Sequence, residues 1–166
     1  MTRRALLVVA AASLAACGFT PVYGPQGAGG VLLGNVDLPE ARGDAQYEFN
    51  LRFEDRLGRA DADALFGLAT QLQMTSSSVG INSDGSSTRT RLIGRAVYTL
   101  RETATGRVLH EGRTTAFTGY STTGTTVATT AASRDARERL MSILADQVVD
   151  DLLLHSSDLD VTGSGS

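Results

Sequence analysis

Residues 89–101, RTRLIGRAVYTLR, decide the fold because two kinds of side chain alternate along them. Side chains two residues apart point to the same face of a β-strand. The stretch therefore predicts a strand with an apolar face turned toward a core and an arginine-rich face turned toward solvent. The apolar face comprises Leu92, Ala96, Tyr98 and Leu100, and the opposite face carries Arg89, Arg91, Arg95 and Arg101.

The segments around this stretch predict three more strands. Residues 66–74 alternate large apolar side chains with glycine, alanine and glutamine, which indicates a half-buried strand. Residues 107–118 follow a glycine turn and predict the last strand. The polar residues 76–87 contain the turn sequence NSDG at 82–85 and predict a loop between the second and third strands. The apolar, β-branched residues 31–38 predict the first strand.

Residues 46–59 fit two patterns. Large apolar side chains occupy every second position between residues 47 and 53, as in a strand. The alternative is a helix, because three large apolar residues recur every four positions with charged residues between them: Phe49, Phe53 and Leu57. No turn signal interrupts the run, and Asp44 is suited to cap a helix, so we predict a helix here.

A second helix is predicted near the carboxyl end. From Ser133, a favourable N-cap residue, to His155, apolar residues recur at helical spacing. Residues 119–130 are rich in glycine, serine and threonine and predict a loop before this helix, and the fraying end of a strand is the alternative. Residues 156–166 are polar and predict a disordered tail.

The predicted order of elements is strand, helix, three strands and helix. Two helices on one face of a four-stranded, mostly antiparallel sheet bury every apolar stripe described above. We therefore predict an α+β fold, a two-layer sandwich, in a single domain over residues 31–155.

The first seventeen residues predict export and a lipid anchor. Residues 1–16 join an arginine-containing start to an apolar run that is shorter than the roughly 20 residues of a membrane-spanning helix. The stretch therefore predicts a removable signal peptide. Its end, LAAC at 14–17, resembles a bacterial lipobox, in which the cysteine is lipidated and becomes the first mature residue. The alternative is an ordinary secretory signal that leaves Cys17 as a free thiol. If LAAC is a lipobox, residues 17–30 are predicted to form a lipidated N-terminus and flexible linker.

Composition excludes several kinds of chemistry. The 166-residue chain carries a net charge of −3, two histidines and one cysteine, and all fifteen of its basic residues are arginine. The absence of lysine excludes a P-loop lysine and a Schiff-base lysine. One cysteine excludes an intramolecular disulfide and every multi-cysteine metal cluster. The slight acidic balance argues against a nucleic-acid partner.

Candidates for catalysis are few. A hydrolytic base would have to be His110, in the last predicted strand, or His155, at the end of the last helix. Two histidines so far apart in sequence, without cysteine support, predict no metal site. We therefore expect no enzyme, no cofactor and no bound metal. A periplasmic hydrolase that uses His110 is the alternative.

Arg89, Arg91 and Arg95 are the one group that suggests binding. On one strand face, guanidinium groups two residues apart are separated by about 6–7 Å. Each can hold a phosphate or carboxylate through two parallel hydrogen bonds. These three arginines are the predicted binding site, and an ordinary solvent-facing sheet surface is the alternative.

The sequence CGFTPVYG at 17–24 resembles the mature N-terminus of a known family, the lipopolysaccharide-assembly lipoproteins (LptE), and especially its alphaproteobacterial members. Residues 47–57 look like the first helix of that family, and residues 134–148 look like its closing helix. The resemblance implies two helices on a four-stranded sheet, which agrees with the fold predicted from the residues themselves.

The resemblance also implies a function. Members of the family are outer-membrane lipoproteins that face the periplasm and lie inside the lumen of a large β-barrel translocon, LptD, as plug and assembly partner. They help lipopolysaccharide reach the outer leaflet and can bind it. For this chain, it implies an outer-membrane anchor at Cys17, an LptD-type partner and lipopolysaccharide as a ligand. We assign that ligand to the arginines at 89, 91 and 95 on chemical grounds, because lipid A carries phosphates. An auxiliary lipoprotein of a phospholipid-trafficking transporter is the alternative.

Overall fold

The structure is a computed structural model that describes residues 28–81 and 87–159. The predicted signal peptide, Cys17, most of the predicted linker, residues 82–86 with the predicted turn, and residues 160–166 lie outside the described residues. The helices are α1 (Asp44–Leu57) and α2 (Thr126–Leu154). The strands are β1 (Val36–Asp37), β2 (Phe66–Ile81), β3 (Ser87–Glu102) and β4 (Val108–Ser121). Short 3-10 helices span Ala28–Leu32 and Ser156–Asp158.

The four strands form one sheet in the order β1-β2-β3-β4. β1 runs parallel to β2, and the two other pairs are antiparallel. In β3, Leu92, Ala96 and Leu100 are buried while the intervening arginines are exposed, so the predicted alternation is confirmed. The fold class is confirmed as well: two helices and a four-stranded, mostly antiparallel sheet in an α+β arrangement.

The hairpin of β2 and β3 extends further than the sequence predicted. We predicted a loop over residues 76–87, but β2 continues to Ile81 and β3 begins at Ser87. The ladder pairs Ser76 with Leu92 and Val79 with Arg89, so the backbone groups of this polar stretch are satisfied by strand pairing. Serine-rich strand ends lie in solvent and therefore lack the apolar alternation from which strands are predicted.

The first predicted strand is mostly wrong. Within residues 31–38, only Val36 and Asp37 pair with β2, and Ala28–Leu32 forms a 3-10 helix instead. Leu32 and Val36 are both buried in the core. The apolar pattern therefore predicted correctly that these residues are buried, but it did not predict their backbone conformation. This helix begins before the predicted domain start at residue 31.

Helix α1 resolves the ambiguity over residues 46–59 in favour of the helix. Phe49, Phe53 and Leu57 are its buried residues, at a spacing of four. Gly43, not Asp44, occupies the N-cap position, and the predicted cap is wrong by one residue. Gly58 ends the helix with φ of 79°, a left-handed conformation that glycine adopts without steric cost, and its N–H donates to the carbonyl of Glu54.

Helix α2 begins earlier than predicted. Its N-cap is Thr125, whose side chain accepts a hydrogen bond from the N–H of Ala128. Ser133 is therefore not the cap but a buried residue inside the helix, and most of the predicted loop at 119–130 is strand or helix. The first turns are rich in threonine, which has low intrinsic helix propensity, so they carried no helical signal. The predicted end is confirmed, because His155 is the C-cap.

Helix α2 packs across β3 and β4 and against α1, and one core cluster joins both layers. Arg52 and Arg56 of α1 hold Asp146 of α2 at N–O distances of 3.0 and 2.9 Å. Beyond α2, Ser156–Asp158 is helical and Leu159 is buried, so part of the predicted tail packs on the domain. Among the described residues, no helix has the length and apolarity required to span a bilayer.

Candidate functional site

The outer face is the surface of β2, β3 and β4 that points away from the helices. Strand β3 places Arg89, Arg91 and Arg95 on it, and all three side chains are exposed. Arg91 pairs with Gly119 of β4, and Arg95 pairs with Thr115. The small partners leave both guanidinium groups accessible. The structure therefore brings together the three arginines that the sequence singled out.

Two further arginines share the outer face. Arg101 lies on β3, and Arg113 of β4 pairs with Val97 of β3. Both are exposed. In the described part of β2, β3 and β4, the outer face carries one acidic residue, Glu111. The sequence analysis placed Arg101 on this face but not in the site, and it missed Arg113. The alternation within residues 107–118 would have identified it once β4 was aligned with β3.

The outer face also carries exposed apolar side chains among the arginines. Phe117 is 70% exposed, and the Cζ atom of Arg91 lies 5.8 Å from the centre of its ring, a cation–π contact. Ile93 and Val97 of β3 are 38% and 40% exposed. A shallow depression at this end of the sheet is lined by Arg89, Arg91 and Phe117 together with neighbouring residues. Such a surface suits a ligand that is both anionic and apolar.

A second group of polar side chains lies at the other end of β4. The rings of His110 and His155 stack with centroids 4.3 Å apart. The His110 Nε2 atom lies 2.6 Å from Asp151 Oδ2, and the Tyr98 hydroxyl donates to the same oxygen at 2.5 Å. The sequence analysis missed this arrangement, because the 45-residue separation of the histidines concealed a contact that depends on α2 ending beside β4.

The electrostatics of this second group are set by Asp151. Partial burial opposes ionisation of its carboxyl, but hydrogen bonds from Tyr98 and His110 outweigh that effect and hold its pKa below the ordinary value. Burial, together with the adjacent carboxylate, raises the pKa of Tyr98. The Nε2 atom of His110 is paired with Asp151, so a hydrolytic base at this residue would have to act through its Nδ1 atom.

Comparison with known proteins places the chain in a family. The model of the family described as "LptE: Lipopolysaccharide-assembly" matches residues 33–152, well over half of the chain. A comparison with curated proteins gave no match.

Several solved structures share the fold. A putative lipoprotein from Caulobacter crescentus superposes with a TM-score of 0.65 at 22% identity, covering 79% of this chain and 98% of that one. Rare lipoprotein B from Shewanella oneidensis gives 0.56 at 11% identity, with 76% and 97% covered. A minor lipoprotein from Acinetobacter baumannii gives 0.56 at 13% identity, with 75% and 94% covered. The family match is thus accompanied by the same two-layer architecture, and the chain belongs to the LptE family of lipopolysaccharide-assembly proteins.

Proposed function

We propose that the chain is an outer-membrane lipoprotein that assists lipopolysaccharide transport to the outer leaflet. Acyl chains on Cys17 anchor it, and the domain faces the periplasm. The family match supports this proposal, as do the lipobox-like sequence at 14–17 and the similarity in fold to two lipoproteins, from Caulobacter crescentus and Shewanella oneidensis. Two or more acyl chains give stable anchoring where one chain gives only marginal binding. Gly18, in place of an aspartate, is consistent with sorting to the outer membrane.

Its partner in this proposal is a large LptD-type β-barrel, whose lumen the domain occupies as plug and assembly aid. Barrel interiors are polar. Exposed polar side chains cover much of the described surface, including Gln71, Gln73 and Thr75 of β2. The family match favours this partner over the phospholipid-transporter alternative.

Lipopolysaccharide binds, in this proposal, on the outer face through Arg89, Arg91 and Arg95. The observation that carries the assignment is the charge of that face, five arginines and one glutamate in the described strands, with exposed Phe117 among them. Guanidinium groups pair with lipid A phosphates, and the aromatic ring contacts acyl chains or sugar faces. No bond is made or broken, so the protein acts by binding and not by catalysis.

A triple charge reversal tests the ligand assignment. Arg89→Glu, Arg91→Glu and Arg95→Glu together should abolish binding of purified lipopolysaccharide, while circular dichroism stays unchanged because the three side chains are exposed. The matched control reverses the exposed arginines of α2, Arg134, Arg137 and Arg139, and should retain binding. Retained binding by the β3 variant overturns the site.

The anchor and the partner need separate tests. Intact-mass measurement of membrane-extracted protein should show acyl groups on Cys17 and no residues 1–16. Affinity capture from solubilised outer membranes should recover one large β-barrel protein. Recovery of phospholipid-transporter components instead would favour the alternative. A water-soluble periplasmic form without lipid would overturn the anchor.

A further inference from the structure

Both histidines of the chain converge on one aspartate, at the end of the domain opposite Arg89 and Arg91. The His–Asp–His cluster consists of His110 on β4, Asp151 in the last turns of α2 and His155 at the C-cap. Along β3, His110 lies beside Leu100 whereas Gly119 lies beside Arg91. At the rise of a strand, that separation is roughly 30 Å. Arg95 is five residues from Leu100, roughly 17 Å along the strand, and its side chain lies on the opposite face of the sheet. The cluster is therefore distinct from the proposed lipopolysaccharide site.

The geometry points to a divalent metal site, and we propose that the His–Asp–His cluster binds Zn²⁺. Each of the three residues offers one ligand atom, and these atoms all lie within 4.8 Å of one another. Imidazole suits Zn²⁺, Ni²⁺ and Cu²⁺, and a carboxylate completes a three-ligand set with positions left for water. Mg²⁺ prefers all-oxygen surroundings and is not expected to bind.

The cluster is held by rigid elements and by surrounding contacts. The Nδ1 atom of His155 lies 2.9 Å from the backbone carbonyl of Asp151, which keeps the ring beside the cluster, and Tyr98 donates to the Asp151 carboxylate. Contacts of this kind, from a carbonyl to a ligating histidine and from a donor to a ligating carboxylate, are the usual outer support of protein metal sites. A register shift in the β3–β4 ladder lies beside His110. Irregularities of this type redirect side chains.

Solvent reaches the cluster, so a metal ion can enter. The side chains of Asp151 and His155 are 33% and 45% exposed, whereas that of His110 is 17% exposed. The His110 Nε2 and Asp151 Oδ2 atoms, 2.6 Å apart, are closer than two ligands of a tetrahedral Zn²⁺ ion, which are separated by about 3.3 Å for bonds near 2.0 Å. Binding therefore replaces the shared proton and moves the carboxylate outward by a fraction of an ångström. Because the lone pairs of imidazole lie in the ring plane and the two rings are stacked 4.3 Å apart, binding also turns the more exposed His155 ring out of the stack.

A bound ion would join the C-terminal end of α2 to β4. Since a ligand that binds only the folded state stabilises it, Zn²⁺ should raise the melting temperature. The experiment uses the detergent-solubilised full chain with a tag that contains no histidine. We expect one equivalent of Zn²⁺ by calorimetry, a melting temperature raised by about 5 °C or more in excess Zn²⁺, and reversal by EDTA. Mg²⁺ should have no effect.

Substitutions in and beside the cluster test whether its residues bind the Zn²⁺ ion. His155→Gln, at an exposed position, and Asp151→Asn, which preserves shape, should each weaken Zn²⁺ binding by at least about tenfold. Tyr98→Phe should weaken it by about tenfold because it removes the support of the carboxylate. The matched control is Asp150→Asn, which changes an exposed carboxylate that pairs with Arg56 on the other side of the helix. No uptake of Zn²⁺ by the unaltered chain, or equal uptake by His155→Gln, overturns the proposal and leaves a hydrogen-bonded cluster only.

Discussion

Gly94 of β3 lies so close to Leu144 of α2 that a Cβ atom added to it would come within 2.9 Å of the Leu144 Cδ1 atom. The Cγ atom of Leu140 would be 3.0 Å away. Carbon atoms in contact are normally separated by about 3.5–4.0 Å. Both leucines are fully buried, so neither can move aside into solvent. The missing side chain at Gly94 therefore sets the distance between the helix and the sheet.

Gly94→Ala should lower the free energy of unfolding by about 1–3 kcal/mol, because the added methyl group overpacks the core. Urea denaturation measures the change. Gly67→Ala on β2 is the control, since a Cβ there meets nothing within 4 Å. Equal stabilities of Gly94→Ala and the unaltered chain would show that α2 can shift without cost.

Asp146 links the two helices through ion pairs with Arg52 and Arg56. Asp146→Asn should lower the free energy of unfolding by about 1 kcal/mol at low salt, since a partly exposed pair contributes little more than that. The difference should shrink at high salt because ions screen the interaction. Asp135→Asn is the control, since its partner Arg139 lies on the same helix. A loss that is independent of salt would argue against an electrostatic origin.

Thr125 caps α2 with its side-chain oxygen. Thr125→Ala should lower the free energy of unfolding by about 1 kcal/mol and increase amide exchange in the first turns of the helix. Thr130→Ala changes the same residue type inside the helix and should be neutral or slightly stabilising, because alanine has the higher helix propensity. Unchanged exchange at residues 126–132 in Thr125→Ala would mean that packing, not the cap, fixes this end.

The sequence predicted an element correctly where that element buries one face and its apolar residues recur with the period of a strand or a helix. Strand β3 and the buried stripe of α1 were predicted from alternation and from a spacing of four, because each element buries one face against the same core. The sequence did not predict the ends of strands and helices that lie in solvent. The serine-rich end of β2 is stabilised by backbone pairing, and the threonine-rich start of α2 is stabilised by an N-cap. Neither interaction requires apolar residues at a regular spacing.

The two candidate sites differ in the same way. Arg89, Arg91 and Arg95 could be grouped from the sequence because they occupy one strand, and residues separated by an even number of positions on a strand point to the same face. Arg113 required the pairing of β4 with β3, and the contact between His110 and His155 required the length and end of α2. Residues brought together by tertiary packing cannot be read from spacing along the chain.

Phe117 should contribute to lipopolysaccharide binding separately from the arginines around it. Phe117→Ala removes the ring beneath Arg91 together with an apolar surface that is 70% exposed. Loss of an exposed cation–π partner corresponds to a two- to fivefold change, so the affinity for purified lipopolysaccharide should fall by about that factor while the stability of the domain stays unchanged. Fluorescence titration measures the affinity.

The salt dependence of these variants separates the two contributions. Binding by the unaltered chain should weaken with ionic strength, because its arginines are exposed and their interactions are screened. Phe117→Ala should lower the affinity while leaving the slope of that dependence nearly unchanged, since it removes no charge, whereas Arg113→Glu should flatten the slope. Val127→Ala, at an 80% exposed position on α2, controls for loss of any exposed apolar residue and should bind normally. If Phe117→Ala and Val127→Ala bind equally well, the outer face recognises phosphate alone, and the apolar part of lipopolysaccharide lies away from β4.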